Sequence, residues 1–166
     1  KLYKNHFKSN SDYFVLDDIH KLSVAQIPQT TLATASFPCA DLSLAGSRAG
    51  LQGKNSSAFW EFVAILRKMD DKKPPLILLE NVTGFLTSHN GKDFEDALLA
   101  LNDLGYAVDA FIINAVHFVP QSRVRLFIVG KRFQTQSVKA NVYLPKTTEL
   151  RPAKLRDFIF NHPEIN

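Results

Sequence analysis

The chain of 166 residues holds one cysteine, Cys39, and it directly follows Pro38. A lone thiol at the end of an apolar run suits nucleophilic chemistry, because only the thiolate attacks and its surroundings set how much thiolate exists. The commoner role of a single cysteine is structural burial. Glu80, with Asn81 and Val82 after it, is a second candidate, since a carboxyl group can move a proton to or from a reacting ring or carbonyl. Arg123 and Arg125 form a third. Two residues apart, they share one face of an extended strand with Gln121, while Val124, Leu126 and Ile128 take the other. Two cations next to an apolar face are costly in a core, so they imply either a site or a solvated edge. His89 and His117 allow a Cys/His hydrolase built with Cys39, with no second signature for it. No cluster has metal-ligand spacing. The stretch 44–54 (LAGSRAGLQGK) lacks the spacing of a phosphate-cradling P-loop.

The elements that must carry these groups follow from the hydrophobic pattern. Strands are predicted at 13–16, ending in Asp17 and Asp18, and at 31–37, ending at Pro38. Others are predicted at 76–79, introduced by Pro74 and Pro75, and at 107–114 and 123–129. A helix is predicted over 55–69, where Phe59, Phe62, Val63, Leu66 and Met69 recur at spacings suited to one helical face. A second runs over 93–104, apolar at Phe94, Ala97, Leu98 and Leu101 and closed by Gly105. A short third is predicted over 153–160. Strands alternating with helices predict an α/β fold with a mainly parallel sheet covered on both faces. Ligands in such sheets bind at the carboxyl ends of the strands. Asp17–Asp18, Pro38–Cys39 and Glu80–Asn81 each stand at such an end.

Composition narrows the classes. Hydrophobic residues make up 45% and charged residues 22%, which excludes a disordered or collagen-like chain. No apolar run reaches the roughly 18 residues needed to span a bilayer, so no membrane partner is expected. One cysteine excludes an internal disulfide framework and any CxxC motif, and implies a reducing, cytoplasmic setting. A net charge of +4 is compatible with an anionic partner. Thirteen phenylalanines predict an aromatic core.

Three segments, in order, resemble the C5-cytosine-specific DNA methyltransferases. SFPCADLSLAG (36–46) is similar to that family's Pro-Cys motif, LLENVTGF (78–85) to its Glu-Asn-Val motif, and VPQSRVRLFIVG (119–130) to its Gln-x-Arg-x-Arg motif. Asp17–Asp18–Ile19 is similar to its Gly-Asp-Ile strand end. The resemblance runs over about residues 1–146 and implies a Rossmann-like fold that uses S-adenosylmethionine. It implies that Cys39 adds to C6 of cytosine, that Glu80 assists at N3, that Arg125 binds O2, and that Arg123 supports the site. Asp18 and Ile19 would then contact the cofactor's adenine, with Pro38 also beside the cofactor. The stretch 44–54 would be a loop that closes over DNA, Arg48 and Lys54 reaching phosphates. The implied partner is double-stranded DNA with the target cytosine flipped out of the stack, since C5 and C6 are inaccessible within it. In a bacterium the enzyme would be nucleoid-associated. The alternatives are a non-catalytic nucleic-acid-binding fragment or subunit, and an RNA cytosine methyltransferase.

The chain also departs from the family pattern. Ala40 stands where many members have Gln, and Asn55 and Ala58 stand where many have Arg and Leu near the cofactor. The family's Phe-x-Gly-x-Gly loop, the acidic residue after it and the target-recognition region have no counterpart in the sequence. The expectation is therefore a partial catalytic domain over 1–146, lacking the first strands, with 147–166 beginning the connection toward a target-recognition region. A complementing chain or a second copy would supply the missing strands.

Overall fold

The computed structural model describes His6 and residues 14–38, 57–133 and 147–165. Among the described residues four strands form a sheet: β1 (Leu32–Ser36), β2 (Leu76–Asn81), β3 (Tyr106–Asn114) and β4 (Val124–Arg132). Their spatial order is β1-β2-β4-β3. β1 and β2 are parallel, and β4 is antiparallel to both of its neighbours. Thus β1, β2 and β3 run one way and β4 is inserted the other way between them. The expected common direction holds for three strands, but only one described ladder is parallel. The cause is the link 115–123 between β3 and β4, which is too short for a crossover helix and returns the chain antiparallel. The link from β1 to β2 carries helix α1 (Ser57–Met69) and so permits parallel pairing.

Period-two alternation sorts the sheet into two faces. Ala33, Ala35, Ile77, Leu79, Ala110, Leu126 and Ile128 face the core. Against them lie Phe59, Val63, Leu66 and Met69 of α1, Phe94, Ala97, Leu98 and Leu101 of α2 (Lys92–Asp103), and Leu155 of α3 (Ala153–Asn161). The α1 and α2 residues are the helical positions the sequence predicts, except that Phe62 is only partly buried. Among the described residues the buried core lies on this one face, so the expected double covering is not seen there. The other face carries Leu32 and Leu76, 47% and 40% exposed, and at its upper end Glu80 and Arg125.

Local chemistry sets the element ends. Arg67 and Lys68 close α1, where cations favour the helix dipole. Gly105 (φ 87°) ends α2 in a left-handed cap, its N–H donating to the Asn102 carbonyl at 2.8 Å. An irregular 3-10 stretch, Thr83–Gly91, precedes α2 and breaks at Ser88–Asn90. Asp93, buried in the first turn of α2, accepts from Ser88 Oγ and bonds His89 Nδ1 at 2.9 Å.

The aromatic core takes the form of a chain of rings. Phe37 meets Phe59 at 5.2 Å and Phe85 at 5.7 Å, Phe85 meets Phe94 at 5.5 Å, and Phe94 meets Phe158 at 4.8 Å. Each such pair contributes about 0.5–1.5 kcal/mol beyond area burial. The chain links the end of β1 to α1, to the turn after β2, to α2 and to α3. Gly130 allows a close approach, since a Cβ there would lie 2.6 Å from Ile77 Cγ1.

One predicted strand, at 13–16, is not formed by its described residues. Phe14, Val15 and Leu16 form no ladder, and a 3-10 turn, Ile19–Lys21, follows them. Leu16 is 84% exposed. A strand needs a neighbouring edge for its backbone groups, and no described strand adjoins this segment. β1 likewise is paired on one side only, by β2, among the described residues. Residues 147–165 fold back on the sheet. Ile112 N–H donates to the Leu150 carbonyl at 2.8 Å, and Arg151 pairs with Asp109.

Candidate active site

At the carboxyl end of β2 two of the predicted groups, Glu80 and Arg125, meet. Ser36, the last residue of β1, is the register partner of Glu80, which in turn faces Phe127 of β4. Directly opposed residues share a face, and so do diagonal neighbours two further along. Arg125 is such a neighbour of Glu80. Its Nε lies 2.9 Å from Glu80 Oε1, and the two side chains are only 22% and 28% exposed. Arg125 Nη1 also donates to the Val124 carbonyl at 2.8 Å. On the other side, Ser36 Oγ donates to Glu80 Oε2. The carboxylate is therefore held by both flanking strands, one oxygen to each.

Asn81, the next residue, points to the opposite face and is 5% exposed. Its Nδ2 donates to the Phe37 carbonyl at 3.3 Å, and its Oδ1 accepts from the Val82 N–H at 2.8 Å. Phe37 is buried in the ring chain and Pro38 follows it at the surface. The chain that leads to Cys39 is thus anchored by a ring in the core and by an amide from β2. Cys39 itself lies outside the described residues, as do Arg48, Lys54 and the rest of 44–54.

Arg123 does not share the place of Arg125. It precedes β4, which begins at Val124. Its N–H donates to Asn114 Oδ1 at 2.9 Å and its carbonyl accepts from Ala115 N–H. Its exposed guanidinium makes no hydrogen bond or ion pair among the described residues. The strand predicted from residue 123 thus takes in Arg125 but not Arg123, whose backbone N–H bonds the Asn114 side chain just before the ladder begins.

Asp18 and Ile19 stand apart from Glu80's contacts. Asp18 caps the Ile19–Lys21 turn, accepting from His20 N–H at 3.0 Å and bonding His20 Nδ1 at 2.6 Å. The His20 contact holds the Asp18 carboxyl below its ordinary range. Ile19 packs, half-buried, at the edge of the core. An anionic acceptor beside an apolar side chain fits the exocyclic amine and ring of an adenine, and Asp18 Oδ2 remains open among the described residues. His89 and His117 bond Asp93 and Glu149 respectively.

Sequence reasoning did not single out Ser36 or Asn81 for a role. The signal for Ser36 was available in principle, since two parallel strands that end at Ser36–Phe37 and Glu80–Asn81 bring those ends level. The Asn81 contact had no comparable signal.

The profile of the C-5 cytosine-specific DNA methylases matches residues 1–164. The Type II methyltransferase M.DsaV of Dactylococcopsis salina is 37% identical over 155 residues, covering 92% of this chain and 42% of the relative. The Type II methyltransferase M.HhaI of Haemophilus parahaemolyticus is 30% identical over 149 residues, covering 89% and 44%. The chain spans less than half the length of these relatives. Among solved structures, the Dnmt2 methyltransferase of S. pombe superposes with a TM-score of 0.55 at 27% identity, covering 73% of this chain and 37% of that one.

Proposed function

The chain belongs to the C-5 cytosine-specific DNA methylase family, and from that premise we propose that it forms the catalytic part of an enzyme methylating C5 of cytosine in double-stranded DNA. The observation that carries this reading is the Glu80–Arg125 pair at the carboxyl end of β2. Cytosine presents N3, O2 and an exocyclic amine along one edge. A carboxyl group and a guanidinium side by side match that edge.

Cytosine C5 is a weak nucleophile. In the proposed sequence the Cys39 thiolate forms a bond to C6, and the ring's electron pair shifts toward N3 and C5. Glu80 brings a proton to N3 as charge develops there, takes it back when Cys39 leaves, and accepts from the N4 amine, while Arg125 donates to O2. Both act where charge develops, and their fixed geometry avoids reorganisation during the step. S-adenosylmethionine supplies the electrophilic methyl group that C5 accepts. Asp18, Ile19 and Pro38 are the residues proposed to hold it. Loss of the C5 proton to a base then restores the C5–C6 double bond and expels Cys39. Arg123, whose guanidinium is unpaired among the described residues, is proposed to support the site from its rim. The target cytosine is proposed to be flipped from the duplex, because its reacting atoms are otherwise covered by stacking.

Among the described residues β1 is paired on one side only, and this supports a further part of the proposal. In the working enzyme its other side is paired by strands from elsewhere in a longer protein, from a complementing chain or from a second copy. Residues from 147 onward would begin the connection toward a target-recognition region. A reducing, cytoplasmic setting suits the lone Cys39 thiol.

Methyl transfer from labelled S-adenosylmethionine to duplex DNA, measured with the whole protein, tests the reading. Wild type should label cytosine C5 and form a covalent adduct with 5-fluorocytosine DNA, and Cys39→Ala should do neither. Turnover retained by Cys39→Ala overturns the mechanism.

A further inference from the structure

We propose that Ser36 is a positioning residue that fixes the plane of the Glu80 carboxylate. The inference rests on the catalytic reading of Glu80 given above and adds to it. Glu80 stands on β2 with β1 on one side and β4 on the other. Arg125 takes Oε1 from the β4 side, and the Ser36 hydroxyl takes Oε2 from the β1 side. A carboxylate anchored through one oxygen pivots about that contact. One anchored through both oxygens, from opposite sides, does not.

No other described side chain offers the same hold. Ala35 and Phe37 point to the core face, and Thr34 lies one step back, opposite Leu78. A hydroxyl suits the task because it is small and neutral, and its hydrogen rotates to follow its acceptor. It leaves the second lone pair of each Glu80 oxygen available to a ring edge. Ser36 also stands three residues before Cys39, so the same bond sets the chain carrying the nucleophile against the strand carrying the carboxyl group.

Glu80 is 28% exposed, so water can replace the lost donor when Ser36 is changed. The consequence is loss of orientation in the step that forms the bond to C6, with the fold retained. The whole protein is compared with Ser36→Ala, and with Ser36→Thr and Ser36→Val, a pair of near-equal shape that differs in the hydroxyl. The readouts are the rate of covalent adduct formation with 5-fluorocytosine DNA and the affinities for DNA and cofactor. Ser36→Ala and Ser36→Val should form the adduct about tenfold more slowly, with Ser36→Thr close to wild type and both affinities unchanged in all three. Wild-type rates in Ser36→Ala and Ser36→Val, or a Ser36→Thr variant as slow as Ser36→Val, overturn the assignment. If wild type itself forms no adduct, the catalytic reading of the site falls and Ser36 with it. A normal wild-type adduct formed equally fast without the hydroxyl removes only the role of Ser36.

Discussion

Asn81 reaches from the end of β2 to the carbonyl of Phe37, 3.3 Å away, and so ties together the two strand ends that carry Glu80 and lead to Cys39. Both groups are buried from water. Removing the donor leaves a buried acceptor without it, at a cost of about 1–3 kcal/mol. Asn81→Ala should therefore lower the thermal midpoint. Asn81→Asp keeps the shape but has no N–H to offer, so it should lose at least as much. A wild-type midpoint in Asn81→Asp would show that the contact does not hold the turn.

Arg125 meets Glu80 through Nε, a donor that lysine lacks. Arg125→Lys keeps the charge and should still lose roughly a hundredfold or more in kcat/KM for methyl transfer. Glu80→Gln should lower kcat by about 10²–10⁴-fold. Steady-state kinetics on a cytosine-containing duplex check both. Full activity in Arg125→Lys would mean that positive charge alone suffices.

Gly130 lies opposite Ile77, with room for a hydrogen and not for a methyl group. Gly130→Ala should destabilise by about 1–3 kcal/mol through overpacking. Trimming the neighbour in Gly130→Ala/Ile77→Ala should cost less than the sum of the two single changes. Denaturant unfolding of the four proteins measures that coupling.

Tyr106 is 2% exposed, and its hydroxyl donates to the Pro74 carbonyl at 2.6 Å. Burial pushes its ionisation above the ordinary value of 10.0, against a smaller opposing pull from Arg132. The unfolded chain therefore releases this proton first as pH rises. The contribution is whole below pH 10.0 and declines as pH climbs through the raised folded value. Unfolding free energy plotted against pH should fall more steeply above that point in wild type than in Tyr106→Phe. Identical alkaline slopes would contradict the burial effect.

The helices and most strands were legible in the sequence because each is amphipathic with its own period. Phe59, Val63 and Leu66 mark α1, Phe94, Ala97 and Leu101 mark α2, and the alternation of Leu126 and Ile128 with Arg125 marks β4. Residues 14–16 look as apolar as β1 yet form no strand, since pairing depends on a neighbour that local pattern cannot report. Glu80 and Arg125 were each visible as candidates. Their contact was not, because it depends on β4 lying beside β2 and on the register between them. The Arg123 difference has a local cause, the Asn114 side chain that bonds its backbone and ends the ladder.

The reversed strand has a consequence for the order of assembly. Among the described residues β3 pairs with the sheet only through β4, so these strands cannot join outward in the order the ribosome delivers them. The β3–β4 pair is local in sequence and able to form early, whereas its seating on β2 closes a long loop and comes later. Arg125 arrives beside Glu80 only at that docking event, so the pair becomes complete when the sheet does.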